Sequence, residues 1–251
     1  MSRDTFVFCD GQLLVKAGGV EPAPEEAVLA KPGPAREVLD SFTMRPQGAG
    51  VVAVSGAAED PPAGCEWVRL RQLLAAESPQ AGPACRALGL VNWRATHRFC
   101  GVCGGPMEEH PVEVARICPA CGRVEYPGLS PAVIVRVEKE GKILLARHVQ
   151  RIRDIFTCLA GYVELGESLE HAVCREVREE AGIEVGDVRY VGSQHWPYPN
   201  QLMLGFAARW KSGELHIQPE ELTEARWFDP VDLPEIPPPG SMAYRLICGP
   251  I

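Results

Sequence analysis

A cluster of glutamates with helical spacing is the first feature of the sequence that could do chemistry. Glu176, Glu179 and Glu180 stand at positions i, i+3 and i+4, so a helix would bring their carboxylates to one face within a turn. Like charges placed in this way destabilise a helix unless cations neutralise them. Hard oxygen ligands suit Mg²⁺ or Mn²⁺, which keep several waters and bridge to substrate phosphates. The alternative without a metal site is a solvated acidic helix face, which is what most charge runs are.

Two Cys-x-x-Cys pairs form the second candidate site. Cys100 and Cys103 make the first pair, and Cys118 and Cys121 make the second, with 14 residues between the pairs. This is the spacing of a structural zinc site with four thiolates. A tetrahedral four-sulfur site leaves no open coordination position, so we expect this Zn²⁺ to hold a fold and not to perform chemistry. Nucleic-acid binding by this segment is disfavoured, because nearby glutamates offset its basic residues.

The elements that must position these residues can be predicted from periodicity. Residues 169–181 favour a helix, with Ser168 as its N-cap and Gly182 as its stop. The apolar runs at 132–137 and 143–146 indicate a hairpin of two strands, and strand-like runs follow at 188–191, 201–210 and 225–228. Before residue 95, short apolar runs alternate with Pro- and Gly-rich breaks, which is typical of a small domain of short strands with one or two helices.

Composition limits the class of protein. The 251 residues carry a net charge of −8, from 25 Lys and Arg against 33 Asp and Glu, which argues against a broad basic surface for nucleic acid. No stretch approaches the roughly 20 apolar residues that a membrane span requires, and the first ten residues lack a signal-peptide core. Ten cysteines without a secretion signal are better explained as thiols and metal ligands than as disulfides. We therefore expect a cytoplasmic protein.

The segment around the glutamates resembles the Nudix box. That pattern asks for Gly, five residues, Glu, seven residues, and then Arg-Glu-aliphatic-x-Glu-Glu-x-Gly-aliphatic. The chain matches it with Gly161, Glu167, Arg175, Glu176, Val177, Glu179, Glu180, Gly182 and Ile183. The resemblance implies a metal-dependent hydrolase of nucleoside diphosphates linked to another group. Metal ions held by the glutamates would supply the positive charge that the protein lacks. Glu167 and Arg175 are expected to brace the loop and the helix as an ion pair.

Further features are similar to the NADH pyrophosphatase subfamily of Nudix hydrolases. The segment from Ser193 to Met203 resembles that subfamily's Ser-Gln-Pro-Trp-Pro-Phe-Pro-x-Ser-Leu-Met array, with His195, Tyr198 and Gln201 in place of Pro, Phe and Ser. Without the Nudix box, this segment would be interpreted as an aromatic turn that contributes to the core. The four-cysteine segment precedes the Nudix segment and is followed by Tyr126-Pro127, as in the subfamily, but Gly128 replaces its Arg.

The resemblance implies roles for individual residues. Glu221 would be a fourth acidic metal ligand, beside Glu176, Glu179 and Glu180. The substrate-binding residues would be Tyr126, Tyr162, Gln194, Trp196, Tyr198, Pro199 and Ala243. Taken alone, Tyr126 could equally be a strand aromatic and Glu221 a surface charge. The sequence does not assign the general base among Glu179, Glu180, Glu221 and activated water.

The fold class predicted from these features is α/β. We expect an α+β domain at 1–94, a four-Cys zinc ribbon at 95–127, and an α/β/α Nudix sandwich with a mixed sheet at 128–251. The predicted activity is hydrolysis of the diphosphate of NAD(H) to nicotinamide mononucleotide and AMP, and also removal of NAD caps from RNA, by a homodimer. The alternatives are a nucleotide- or RNA-binding sensor with weak turnover, or a hydrolase for another nucleoside diphosphate such as ADP-ribose.

Overall fold

The structure is a computed structural model that describes residues 5–23, 37–46, 48–55, 61–149 and 155–250. It separates into two compact units. The first comprises Met1–Leu129 with Pro197–Asn200, and the second comprises Ser130–Trp196 with Gln201–Ile251. The segments expected at 1–94 and 95–127 thus group into one unit, and their division into two domains stays a prediction.

The first unit contains a five-stranded sheet, in the order β3-β4-β1-β2-β5, and two helices. Alternate residues of its central strand serve two apolar cores: Phe6 and Phe8 pack in one core with residues of the helices, and Val7 and Cys9 pack in the other. The period of two in a strand explains this division. The bounds of the elements are β1 Thr5–Cys9, β2 Gln12–Lys16, β3 Val38–Met44, β4 Ala49–Val54, β5 Cys65–Arg69, α1 Leu70–Ala75 and α2 Ala81–Thr96.

The cysteine segment adds a small sheet of three two-residue strands to the first unit: β6 Glu108–Glu109, β7 Arg116–Ile117 and β8 Val124–Glu125. Arg94, only 7% exposed, ties α2 to its surroundings. Its guanidinium donates to both carboxylate oxygens of Asp40 at 2.6 and 2.9 Å and also pairs with Glu109. Because a buried guanidinium needs such partners, these pairs fasten β3, α2 and β6 to one another.

The second unit is a mixed sheet between two helices. Its strand order is β12-β13-β9-β10-β14, and β11 pairs with β9. β13 runs parallel to β9, whereas β10 and β11 run antiparallel to it. The bounds are β9 Ser130–Lys139, β10 Lys142–His148, β11 Leu159–Tyr162, α3 Leu169–Ala181, β12 Glu184–Trp196, β13 Gln201–Ser212, β14 Leu222–Phe228 and α4 Met242–Cys248.

The two helices cover opposite faces of this sheet. Val133 and Val135 of β9 share a core with the apolar side of α3, whereas Ile134 packs in a second core with residues of α4. This confirms the predicted α/β/α sandwich and the α/β class. Within the described residues, none of the helices has both the length and the apolar composition to span a membrane.

Helix α3 has the predicted bounds and the predicted caps. The Ser168 hydroxyl accepts a hydrogen bond from the backbone N–H of His171 at 3.2 Å, which satisfies one of the free donors of the first turn. Gly182 ends the helix in the left-handed conformation, with φ of 70°. Val173 and Val177 are fully buried, and each stabilises the packing of the helix by about 2 kcal/mol.

Candidate active site and zinc centre

The three glutamates of α3 differ in exposure. Glu176 and Glu180 are 8% and 1% exposed, whereas the side chain of Glu179 is 52% exposed. Two carboxylates therefore lie on the border of the apolar side of the helix, and the third faces outward. Buried carboxylates are rare without partners, so this arrangement argues against the alternative of a solvated acidic face.

Gly161 of β11 provides the space that Glu176 occupies. A Cβ added at Gly161 would lie 1.9 Å from the carboxyl carbon of Glu176 and 2.0 and 2.1 Å from its two oxygens. Such distances are shorter than any non-bonded contact can be. The first glycine of the motif thus forms a cradle for a carboxylate of its helix, a role that spacing alone did not reveal.

We expect Gly161→Ala to reduce activity by at least about tenfold with little change in stability. The added methyl group would push the Glu176 carboxylate out of the site, and misplacing a catalytic group by 1 Å can cost about a hundredfold in rate. The end of a glutamate side chain can move without disrupting the core. Steady-state kinetics and thermal unfolding of the variant would test this. Gly82→Ala is the matched control, because its Cβ would have no neighbour within 4 Å; equal activity of the two variants would refute the cradle.

Arg175 connects the motif's acidic residues. Its guanidinium donates to both carboxylate oxygens of Glu167 at 2.7 and 3.0 Å, which confirms the predicted brace between loop and helix. It also donates to Glu176 at 2.8 Å and to Glu179 at 3.0 Å. Arg175, followed by a backbone N–H bond from Glu164 to the carboxylate, lowers the pKa of Glu167 to about 2. Glu167 therefore stays ionised at neutral pH.

Glu221 approaches the helix through backbone hydrogen bonds. The carbonyl oxygen of Glu180 accepts a bond from the N–H of Gln218 at 3.0 Å, and the carbonyl of Gln218 accepts one from Glu221 at 3.1 Å. The chain before β14 is thus held at the carboxyl end of α3. Burial, followed by repulsion from Glu176 and Glu221, raises the pKa of Glu180 to about 8. Burial likewise raises the pKa of Glu176, although Arg175 offsets part of the effect.

These carboxylates fit a divalent cation by their chemistry. One carboxylate oxygen of Glu180, Oε2, is buried and finds no hydrogen-bond partner among the residues that the structure describes, and such a group costs free energy unless something pairs with it. A bound cation would pair with this oxygen, and it would also offset the mutual repulsion of the carboxylates. As a proposal, Glu176, Glu179, Glu180 and Glu221 remain the residues that would hold Mg²⁺ or Mn²⁺.

The four cysteines already have the geometry of a zinc site. Their sulfur atoms all lie within 4.8 Å of one another, and they form the only such group of three or more ligand residues in the described part of the chain. The Sγ atoms of Cys100 and Cys121 are 3.6 Å apart, and those of Cys103 and Cys118 are 3.4 Å apart. Zn–S bonds of about 2.3 Å in a tetrahedron place sulfurs about 3.8 Å apart. The cluster therefore fits a structural Zn²⁺.

The two knuckles repeat the same local fold. Gly104 donates to the carbonyl of Cys100 at 2.9 Å, and Gly122 donates to the carbonyl of Cys118 at 2.8 Å. The backbone N–H groups of Cys103 and Val102 lower the pKa of Cys100 to about 7. Backbone amides directed at sulfur favour the thiolate, which is the form that binds metal.

Some residues predicted to bind substrate lie in the second unit, where the structure gives them specific partners. Gln194 holds the turn before α4, because its amide donates to the carbonyl of Gly240 at 2.8 Å and accepts from the N–H of Met242 at 2.7 Å. The neighbouring Ala243 is 8% exposed. Tyr162 is 51% exposed at the end of β11, and Trp196 is partly buried at the end of β12.

The other predicted substrate-binding residues lie in the first unit. The exposed Tyr126 donates its hydroxyl to Glu113 at 2.5 Å. Tyr198 packs against the apolar core beside α2, and burial raises the pKa of its hydroxyl. The carbonyl of Pro199 accepts a hydrogen bond from Asn92 at 3.3 Å. The position of Tyr198 agrees with an aromatic turn that contributes to a core, and a substrate role for these three residues stays a prediction.

A mixed sheet between two helices, with a glycine cradle under a carboxylate-bearing helix, defines a hydrolase of the Nudix class. The family model of the NUDIX domain matches residues 128–246, and that of the NADH pyrophosphatase zinc ribbon domain matches residues 95–126. The chain belongs to the Nudix hydrolase family, in the group that carries this zinc ribbon.

Curated proteins of similar sequence agree with this assignment. The chain is 47% identical, over 71% of its length and 69% of theirs, to proteins called NAD-capped RNA hydrolase NudC from Salmonella heidelberg and Salmonella typhimurium. Among solved structures, it is similar to a NUDIX hydrolase from Nitrosomonas europaea. That match has 27% identity and a TM-score of 0.48, and covers 55% of this chain and 80% of that one.

Proposed function

We propose that the protein hydrolyses the diphosphate linkage of NAD(H), giving nicotinamide mononucleotide and AMP, and that it removes NAD caps from RNA by the same reaction. The relatives of known name support this substrate class, and the zinc ribbon of the NADH pyrophosphatases supports it independently. The observation that carries the catalytic part is the buried Glu180 carboxylate. Its unpartnered oxygen is expensive to maintain in a pure binding protein, which disfavours the sensor alternative.

The chain's own residues would organise the reaction from two strands, two helices and the segment before β14. Glu176, Glu179, Glu180 and Glu221 would hold Mg²⁺ or Mn²⁺. When bound, the cation would supply positive charge against the diphosphate and lower the pKa of the attacking water. Arg175 orients Glu176 and Glu179 through two charge-assisted hydrogen bonds. Gly161 leaves room for Glu176, and Gln194 fixes the turn that precedes Ala243.

A turnover panel tests the proposed function. NADH, NAD⁺, NAD-capped RNA and ADP-ribose would be compared at equal concentration with Mg²⁺ and with Mn²⁺, and the products separated by chromatography. We expect release of nicotinamide mononucleotide from NAD⁺, of its reduced form from NADH, and of a 5′-monophosphate RNA from the capped transcript. Cleavage of ADP-ribose alone would assign the enzyme to another nucleoside diphosphate, and no cleavage of any substrate would favour the sensor.

We further propose that the protein is a homodimer in the cytoplasm. The zinc ribbon leaves apolar side chains uncovered, since Phe99, Val102 and Val112 are at least 66% exposed, and a second copy could bury them. None of the ten cysteines, all of which lie in the described residues, forms a disulfide bond, which suits a reducing compartment. Light scattering at micromolar concentration should give twice the chain mass of 27.3 kDa; the monomer mass would contradict the dimer.

A further inference from the structure

Tyr162 and Gln201 form a side-chain pair at the end of the sheet, on the face that α4 covers. The Gln201 amide donates a hydrogen bond to the Tyr162 hydroxyl at 2.7 Å. Strand register explains the contact, because Tyr162 of β11 and Met203 of β13 both pair with Ala132 of β9. Gln201 is two residues from Met203 and therefore on the same face of the sheet. The side chain of Ala132 is small, so the side chains of Tyr162 and Gln201 can meet above it.

Tyr162 is thus held by hydrogen bonds at its backbone and at its hydroxyl. Its backbone carbonyl accepts a hydrogen bond from Arg175 at 2.9 Å, which ties it to the residue that orients Glu176 and Glu179. Its hydroxyl is held by Gln201, yet the residue remains 51% exposed. An exposed aromatic ring with little rotational freedom can stack on a planar group with only a small loss of side-chain entropy on binding.

The position of the ring fixes which part of a substrate it can meet. Tyr162 directly follows Gly161, whose Cα lies against the Glu176 carboxylate, and consecutive Cα atoms are about 3.8 Å apart. Successive side chains of a strand point to opposite faces, so the ring lies on the face of Gln194 and α4, across the edge of the sheet from the carboxylates. A dinucleotide whose diphosphate lies at the carboxylates would place one of its bases on the ring by passing the end of β11. The NADH pyrophosphatase array has Ser at the position of Gln201, so the longer side chain is particular to this sequence.

We infer that Gln201 is a positioning residue that orients the Tyr162 ring for stacking on a base of the bound dinucleotide. This inference rests on the proposed function for the identity of the substrate. Gln201 would not touch the reacting atoms. Its loss would weaken binding of a base-bearing substrate and leave the chemical step unchanged, because the glutamates and Arg175 do not depend on it.

A double-mutant cycle tests the coupling. Gln201→Met keeps the length of the side chain and removes the donor, and Tyr162→Phe removes the acceptor. Each variant should raise the KM for NADH about three- to tenfold, the effect expected for one hydrogen bond, with kcat within twofold of wild type. The double variant should be no worse than either single variant, since both remove the same interaction. Gln12→Met, a glutamine of β2 in the first unit, is the control and should behave as wild type.

Equilibrium binding separates this inference from the proposed function. The dissociation constant for NADH is measured by calorimetry in a Glu180→Gln background, where turnover does not interfere, with and without Gln201→Met. A three- to tenfold weaker affinity supports the inference whether or not the wild type cleaves NADH. Repeating the titration with ADP-ribose, which lacks nicotinamide, shows which base stacks. Unchanged affinity, no measurable NADH binding, or additive effects in the kinetic cycle would overturn the inference.

Discussion

Glu180→Gln is expected to lower the turnover of NADH at least about a hundredfold. Glu180 is the most deeply buried carboxylate of the site, and its orphaned oxygen is the best candidate to bind a cation directly. Removing one carboxylate weakens a metal that both activates water and offsets charge in the transition state. A hundredfold loss corresponds to about 2.7 kcal/mol of transition-state stabilisation. Single-turnover and steady-state kinetics with Mg²⁺ and Mn²⁺ would measure it.

Glu170→Gln is the matched control for this prediction. Glu170 is an exposed glutamate in the first turn of the same helix, so its replacement removes the same charge without touching the site. We expect its turnover to stay within about twofold of wild type, because a surface charge acts weakly at this distance. Near-native rates for Gln variants of Glu179, Glu180 and Glu221 alike would refute the metal-hydrolase mechanism.

The Glu180→Gln variant should fold, and its stability relative to wild type should depend on pH. The pKa of Glu180 is raised from 4.5 in the unfolded chain to about 8 in the folded protein. Its stabilising contribution is therefore complete below pH 4.5 and is lost as the pH rises toward 8, where the folded state must ionise a buried acid. In metal-free protein, the variant should gain melting temperature relative to wild type between pH 5 and pH 8. A constant difference across this range would contradict the assigned pKa.

The second large effect is expected at the cysteine cluster. Protein purified without chelator should contain about one Zn²⁺ per chain, and Cys118→Ser should lose it together with at least about 3 kcal/mol of stability. Structural zinc sites contribute folding free energy directly, about 10–16 kcal/mol of apparent binding in small zinc fingers. Cys118 is fully buried at the centre of the ribbon, so no other ligand can replace it from outside.

Metal analysis and chemical unfolding would measure these losses. Cys65→Ser changes a partly buried cysteine of the same unit outside the cluster, and it should retain full zinc content. A strong chelator should destabilise the wild type to the level of Cys118→Ser and should not affect that variant further. Wild-type protein without zinc, or unaltered stability of Cys118→Ser, would refute the structural zinc site.

Local patterns in the sequence were sufficient for several features. The bounds of α3, its Ser168 cap and its Gly182 stop follow from residue spacing within one segment, because helix capping depends on neighbours only a few positions away. The zinc ligands could be predicted for the same reason, since each knuckle is a short local fold. The Nudix resemblance correctly indicated the sandwich, including the ion pair between Glu167 and Arg175.

Tertiary structure decided the contacts between residues that are distant in the chain. Glu221 reaches Glu180 through the backbone bond of Gln218, and Gly161 meets Glu176 only because α3 packs over β11. The pairing of Gln201 with Tyr162 depends on the register of three strands, and a slip of one residue would turn each side chain to the other face. Sequence by itself thus predicted which residues carry the chemistry. Their burial, partners and pKa values were set by packing, because these depend on side chains brought together from separate strands and helices.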